Sequence, residues 1–288
     1  MTPTLARQQL PRTGHSPRVD RRVRARDWSE IQERMLVPLY EAVYERLGVG
    51  PATRLLGLGC GSGLALLMAA SRGAAVIGVD TSPHRLAHAR ERLLPTGRGT
   101  RARADTGIDA RIVDGSPGDT AVGNTAAYTV VTAFEPIGCL AGDAEELGEL
   151  LAEATPLAER GAAVVLAGWG PPERCATVSV LRVATRLAEP VRGTGNWRPG
   201  HRDDLEEVAQ RAGLRPDGSG RVACPFGYAD VDSAVRGLLS TGLFDPAIAA
   251  TDQVQVNKEL AEALHPYRRK DGTVWMPNVF RYLIARTP

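Results

Sequence analysis

The stretch Arg54–Leu66, "RLLGLGCGSGLAL", places four glycines within seven residues directly after a short apolar run. A glycine-rich turn between an apolar strand and a helix is typical of a nucleotide-binding loop. The dinucleotide pattern G-x-G-x-x-G fails in every register, because no glycine stands where its third glycine is required. The spacing that fits is G-x-G-x-G at Gly59, Gly61 and Gly63. These glycines predict a backbone that approaches a ligand closely.

Short apolar runs and helical segments alternate on both sides of this loop. The predicted strands are "TRLLGLG" (53–59), "AAVIGVD" (74–80), "ARIVD" (110–114), "AYTVVTAF" (127–134) and "AAVVLAGWG" (162–170). The predicted helices are "SGLALLMAASRG" (62–73), "SPHRLAHARERLL" (82–94) and one within "AGDAEELGELLAEATPLAERG" (141–161). Apolar strands alternating with helices predict βαβ units and a doubly wound parallel sheet. Ligands of such sheets bind outside the carboxyl ends of the strands.

The N-terminal part divides into a tail and a helix. Residues 1–26 contain six arginines between Arg12 and Arg26 but no apolar periodicity, which predicts a disordered tail. An RNA-binding arm is the alternative, although no aromatic residue is interleaved. From Asp27, apolar residues recur every four positions and predict an amphipathic helix that Pro38 can kink.

The loop and the strand after it resemble those of the class I S-adenosylmethionine-dependent methyltransferases, in broad terms those of ubiquinone and menaquinone biosynthesis. The turn G-x-G-x-G ends the first strand, and Asp80 ends the second, 17 residues after Gly63. The resemblance implies a Rossmann-like, doubly wound seven-stranded α/β sheet with an antiparallel last strand. The resemblance is specific over roughly residues 27–170, and the methyltransferase domain is predicted to span 27–288. Beyond 170, a helix flanked by Gly/Pro stretches at about 170–200 and the helices at about 230–266 are predicted to be cap elements.

The resemblance also assigns the cofactor-binding residues. Asp80 would accept hydrogen bonds from the ribose hydroxyls, and segments after the third and fourth strands would face adenine and the sulfonium. The S-adenosylmethionine site implied by the family comprises Gly59, Cys60, Gly61, Gly63, Asp80, Thr81, Ser82, Asp114, Gly115, Ser116, Phe134 and Glu135. A surface turn would explain "DGSPGD" at Asp114 equally well.

One position departs from the family pattern. Members commonly carry an acid two residues before the first glycine of the turn, where this chain has Gly57. Losing such a charge-assisted bond typically costs ~1.5–3 kcal/mol. We expect another carboxylate to compensate, with Glu30, Glu33 and Glu135 as candidates.

The later chain predicts the substrate side. "HRDDLEEVAQRAGL" is similar to the helix before the sixth strand, "RVACPFGYAD" (221–230) predicts that strand, and "GTVWMPNVFRYLIAR" (272–286) the seventh. Two or three helices between Val231 and Leu264 form a lid or a dimer surface. Candidate general bases are Glu135, His201 and His265. No metal site is expected, because the cysteines and histidines lack ligand spacing.

The predicted function is methyl transfer from S-adenosylmethionine to a small organic molecule in natural-product biosynthesis, with S-adenosylhomocysteine as product. A cyclisation or rearrangement that retains the cofactor, a cofactor sensor or assembly subunit, and an RNA modifier remain alternatives. Net charge is +2, so no nucleic-acid or membrane partner is expected. Cysteine usage and the absence of a signal peptide predict a cytoplasmic protein. A homodimer is left open.

Overall fold

The computed structural model describes residues 20–94, 109–121, 127–139, 142–188 and 204–288. The strands are β1 (Arg54–Leu58), β2 (Ala75–Asp80), β3 (Ala110–Asp114), β4 (Tyr128–Ile137), β5 (Ala158–Trp169), β6 (Arg215–Ala223), β7 (Phe226–Tyr228), β8 (Val274–Met276) and β9 (Val279–Arg286). The helices are α1 (Arg21–Asp27), α2 (Val37–Leu47), α3 (Leu64–Ala70), α4 (Pro83–Leu93), α5 (Asp143–Ala154), α6 (Thr177–Ala188), α7 (Asp204–Arg211), α8 (Val231–Ser240), α9 (Asp245–Ala250) and α10 (Gln253–Leu264).

Seven strands form one sheet in the order β3-β2-β1-β4-β5-β9-β6. β1 to β5 run parallel, whereas β9 is antiparallel to both β5 and β6. The short strands β7 and β8 pair separately. The prediction of a Rossmann-like seven-stranded sheet with an antiparallel last strand is therefore confirmed.

Helices cover the sheet on both faces. α5 and α7 pack on one face, where Leu147, Leu151 and Val208 join the apolar residues of β1, β4 and β5. The opposite face packs against α2 and α3 and continues into α8 to α10, with Leu39 and Leu260 in its core. Burial on both faces explains why the central strands are continuous apolar runs. Because β1 to β4 run parallel, their carboxyl ends meet at one edge of the sheet.

The N-terminal prediction needs two corrections. Helix α1 begins at Arg21, inside the segment 1–26 that we expected to be disordered, because Asp20 caps it through the backbone N–H of Arg22. Residues 1–19 lie outside the described residues. The single predicted helix is instead a π-helical turn (Trp28–Gln32) and a 3-10 turn (Glu33–Leu36) before α2. Pro38 lies in the first turn of α2, where its missing N–H costs no hydrogen bond.

The sixth strand was also placed wrongly. β6 begins at Arg215, six residues before the predicted segment, and Phe226–Tyr228 belongs to the small sheet with β8. β6 is a largely exposed edge strand whose polar sequence gives no apolar run, so the apolar pattern led to β7 instead. The predicted seventh strand is interrupted between β8 and β9. Helices lie in both segments that are predicted as cap elements: α8 to α10 at 230–266, and α6 at 170–200, of which residues 189–200 are not among the described residues.

Candidate functional site

The glycine loop follows β1 and folds against the N-terminal segment. Gly61 has a φ of 56°, in the left-handed region that favours glycine. A Cβ at Gly61 would lie 3.2 Å from Trp28 Nε1 and 3.3 Å from Glu33 Oε1. The glycine thus allows two side chains of the segment before α2 to approach the loop backbone.

Glu33 holds this loop. Its Oε1 accepts hydrogen bonds from the backbone N–H groups of Ser62 at 3.2 Å and Leu64 at 3.4 Å, and its Oε2 accepts one from the Ser62 hydroxyl. Glu33 is only 3% exposed. Leu64 is the first residue of α3, so the carboxylate also lies at the positive end of that helix.

Arg92 neutralises the buried carboxylate. Its Nη1 donates to Glu33 Oε2 at 2.6 Å and to the Ser62 carbonyl oxygen at 2.9 Å. Its Nη2 donates to the carbonyl and hydroxyl oxygens of Ser29, at 2.9 and 2.8 Å. A buried charge is tolerated when it is paired and hydrogen-bonded. Both oxygens of Glu33 are engaged, which makes it a residue that positions the loop.

Packing explains why Gly57 carries no acid. A Cβ at Gly57 would lie 2.8 Å from Leu66 Cδ2, and one at its β2 partner Gly78 would lie 2.3 Å from Leu66 Cδ1. Leu66 fills the space over this pair of glycines, so a carboxylate has no room there. Of the three carboxylates that could compensate, Glu33 contacts the loop, whereas Glu30 is exposed and lies 3.9 Å from Arg26.

Asp80 joins the first two strand ends. Its Oδ2 accepts the N–H of Gly61 at 2.8 Å, and its Oδ1 accepts the N–H of Ser82 at 2.8 Å. Ser82 in turn caps α4, and Thr81 between them is exposed. A carboxylate offers about four acceptor positions, so two remain for a ligand.

The turn after β3 lies beside Asp80. Asp114 is the register partner of Asp80 and is exposed, and the N–H of Gly115 donates to the Asp80 carbonyl oxygen at 3.2 Å. The N–H of Ser116 donates to Asp119 at 2.8 Å, which fixes the turn. The structure therefore brings the residues expected around adenine to the same edge.

Phe134 and Glu135 form the β4 side of the cleft. Phe134 is buried against Tyr40 and Tyr44, with ring centroids 4.8 and 5.7 Å apart. Glu135 Oε2 lies 3.4 Å from the position of a Cβ at Gly59. Glu135 is an exposed residue of β4 and opens into the cleft. Partial desolvation by the cleft walls raises the pKa of its carboxyl, although nearby Arg85 acts in the opposite direction.

Trp28 and Arg85 close the cleft from the opposite side. The Arg85 guanidinium lies 4.4 Å from the centroid of the Trp28 indole ring, a cation–π distance. The remaining free volume is about 30 Å³, room for water but not for a nucleoside. The residues that line the cleft are Trp28, Glu33, Leu36, Tyr40, Gly57, Leu58, Gly59, Cys60, Gly61, Ala65, Leu66, Arg85, Thr132, Phe134 and Glu135.

The three predicted general bases do not converge. Glu135 lines the cleft, whereas His265 is exposed just after α10 and is absent from the cleft lining. His201 lies outside the described residues. Within the part of the chain that the structure describes, no group of three or more His, Cys, Asp or Glu residues could hold a metal ion.

Sequence reasoning missed Trp28, Arg85 and Arg92. A signal for the two arginines was present, because they stand seven residues apart and so share one face of α4. Arg92 also stands next to Leu93 and three residues after Ala89, both of which are buried, so a charged residue lies beside the buried face of α4. Trp28 gave no such signal, since the irregular turn that orients it has no sequence periodicity.

Comparison with known proteins supports the fold. Residues 55–154 match the family model of a methyltransferase domain. BH2331 from Bacillus halodurans, assigned as a methyltransferase, is 13% identical with a TM-score of 0.52, over 86% of this chain and 98% of that one. YjhP from E. coli is 18% identical with a TM-score of 0.50, over 92% and 99%. No curated protein sequence matches the chain.

Proposed function

We propose, from the premise that residues 55–154 are a class I S-adenosylmethionine-dependent methyltransferase domain, that the chain transfers a methyl group from S-adenosylmethionine to a small organic molecule. The observation that carries this proposal is the glycine loop, held by Glu33 and Asp80 at the carboxyl edge of the sheet. The shape of the loop is fixed before a ligand arrives, whereas Trp28 and Arg85, which leave no room for a nucleoside, would have to move away for the cofactor to enter.

The residues around the loop fit this cofactor. Asp80 retains two acceptor positions for the vicinal ribose hydroxyls. Thr81, Ser82, Asp114, Gly115 and Ser116 would surround the adenosine, and Cys60, Gly59, Gly61 and Gly63 would approach its methionine side. Trp28 Nε1 is a buried donor without a partner in the described part of the chain, which is consistent with a ligand acceptor in the cleft.

The chemistry of methyl transfer asks little of the protein beyond alignment. When bound, S-adenosylmethionine supplies an electrophilic methyl group. Phe134 would border the methyl-transfer region and exclude water from it, and Glu135 would face the acceptor. Because desolvation raises its pKa, Glu135 holds a proton to a higher pH than a surface glutamate, which suits a group that accepts one.

The acceptor class and setting are part of the proposal. We propose that helices α6 and α8 to α10 form a cap over a small substrate, and that this substrate is a natural product. All four cysteines are free, which supports a reducing, cytoplasmic setting. No helix among the described residues has the length and apolarity of a membrane span. Self-association as a homodimer and the absence of a nucleic-acid partner remain proposals.

Calorimetric titration with S-adenosylmethionine and S-adenosylhomocysteine tests the proposal. We expect micromolar binding that is lost in Asp80→Ala and retained in Asp232→Ala, which removes an exposed aspartate from α8. No binding of either ligand to the folded wild-type protein at high micromolar concentration would refute it. The protein is then incubated with S-adenosylmethionine and a pool of small acceptors. Release of S-adenosylhomocysteine indicates methyl transfer, whereas intact cofactor indicates a non-methylating reaction or a sensing role.

A further inference from the structure

The cleft contains a donor without an acceptor. The Nε1–H of Trp28 is buried and has no hydrogen-bond partner within the described residues. Leaving a buried N–H unpaired is unfavourable, and native structures rarely do so without a reason. The atom lies 3.2 Å from the position of a Cβ at Gly61, so it borders the surface of the loop that a ligand would meet.

A cation accompanies this donor. The Arg85 guanidinium lies over the Trp28 ring. It forms no direct ion pair among the described residues, but it lies near enough to Glu135 to lower the pKa of that carboxyl. An indole N–H and a guanidinium can only donate hydrogen bonds. Together they select an acceptor that carries negative charge. Backbone N–H groups of the loop add to this preference, whereas the carboxylate of Glu33 is already neutralised by Arg92.

The opposite side of the cleft has the opposite character. Glu135 extends toward Gly59 and lines the cleft, as does Glu33, which is paired with Arg92. Asp80 is engaged with Gly61 and Ser82 on the side of the second strand. A ligand lying along the loop therefore meets hydrogen-bond donors at Trp28 and Arg85, and Glu135 stays on the side where the methyl acceptor would lie. The donor pair matches the carboxylate of an α-amino acid.

We propose that Trp28 and Arg85 bind the α-carboxylate of the methionine part of the cofactor, with the Trp28 Nε1–H and the Arg85 guanidinium as donors. The inference rests on the proposed function, since S-adenosylmethionine has one carboxylate and no other anionic group. It gives Trp28 a binding role in addition to closing the cleft. It also explains why the unpaired indole N–H is retained in the free protein.

Ligands with and without the carboxylate test this assignment. Calorimetry compares S-adenosylhomocysteine with its decarboxylated analogue, which keeps the amine, the thioether and the adenosine. We expect wild-type protein to bind S-adenosylhomocysteine about tenfold or more tightly than the analogue, as a hydrogen bond to a charged group typically provides. Trp28→Phe and Arg85→Gln should weaken binding of S-adenosylhomocysteine and leave the analogue unchanged.

Trp275 provides the matched control. Arg269 lies over its ring at 4.5 Å, and the residue is exposed on β8, outside the cleft lining. Trp275→Phe therefore makes the same chemical change and should not alter either affinity. If Trp28→Phe weakens both ligands equally, or neither, Trp28 only packs against the loop and the inference is wrong.

A spectroscopic measurement covers the case in which Trp28→Phe does not fold. In the wild-type protein labelled with ¹⁵N, one indole N–H resonance should shift downfield on addition of S-adenosylhomocysteine but not of the analogue. No carboxylate-dependent shift of any indole N–H would overturn the assignment. If neither S-adenosylmethionine nor S-adenosylhomocysteine binds at all, the proposed function fails as well. Binding that depends on Asp80 but not on Trp28 refutes this inference alone.

Discussion

Gly57 has no side chain because Leu66 packs over it, a contact that could not be predicted from the sequence. Leu66 packs over Gly57 and Gly78, and the carboxylate that holds the loop comes from Glu33, 24 positions earlier in the chain. The sequence predicted the loop, Asp80 and a compensating acid. It did not decide which of three carboxylates compensates for the missing acid, because that depends on how an irregular turn is oriented.

Restoring the family's acid should therefore harm the protein. Gly57→Asp would press a side chain against Leu66, and overpacking of a core typically costs ~1–3 kcal/mol. We expect a lower free energy of unfolding in urea and no gain in affinity for S-adenosylhomocysteine. Gly148→Asp is the control, since a Cβ at Gly148 meets no atom within 4 Å. Tighter ligand binding by Gly57→Asp would contradict the explanation.

Glu135 should make stability depend on pH. Desolvation raises its pKa in the folded protein, so the folded state holds this proton to a higher pH than the unfolded chain. The stabilising contribution is present at acid pH and is lost as the pH rises through the raised pKa. We expect Glu135→Gln to melt above the wild type at neutral pH, by a difference that shrinks toward acid pH. Glu149→Gln, on the exposed face of α5, controls for charge removal. A constant difference would show that Glu135 is not desolvated.

At the scale of elements, the N-terminal segment and the cap act together. Arg24 forms a bidentate pair with Asp245 at 2.7 and 2.5 Å, and Asp27 pairs with Arg236. The Tyr228 hydroxyl donates to Gln32 at 2.9 Å. Contacts from β7, α8 and α9 thus hold the segment that carries Trp28 and Glu33.

Breaking one of these links should affect both stability and binding. Arg236→Ala leaves Asp27, which is 6% exposed, without its cation. We expect a loss of about 1–3 kcal/mol in the free energy of unfolding and weaker binding of S-adenosylhomocysteine. Lys258→Ala, which removes an exposed pair at 4.0 Å, should cost less than ~0.5 kcal/mol. Equal effects of the two variants would show that the cap does not support the segment.

The sequence predicted regular elements better than irregular ones for a physical reason. β3 spans 110–114 as predicted, and α4 begins after its Ser82 cap, because apolar runs and capping residues act locally. The turns at Trp28–Leu36 instead depend on contacts with distant residues such as Arg92 and Tyr228. β6 was misplaced because its exposed side chains reveal no buried face.

At the scale of the whole molecule, burial of the central strands stabilises the sheet. Leu166 lies in β5 between β4 and β9 and is fully buried. Leu166→Ala should lower the free energy of unfolding by about 2–5 kcal/mol in urea denaturation. Val254→Ala is the control, since Val254 is 78% exposed on α10 and surface changes usually stay within ~0.5 kcal/mol. Similar losses in both variants would contradict a core centred on β5.

We propose that Glu33 shapes the glycine loop for S-adenosylmethionine and its product. Titration of wild type, Glu33→Gln and Glu30→Gln with S-adenosylhomocysteine tests it most directly. The amide of Glu33→Gln would place a donor against the N–H groups or Arg92, so we predict about ten- to a hundredfold weaker binding. Glu30→Gln should bind as the wild type does. Undiminished affinity in folded Glu33→Gln would contradict the account.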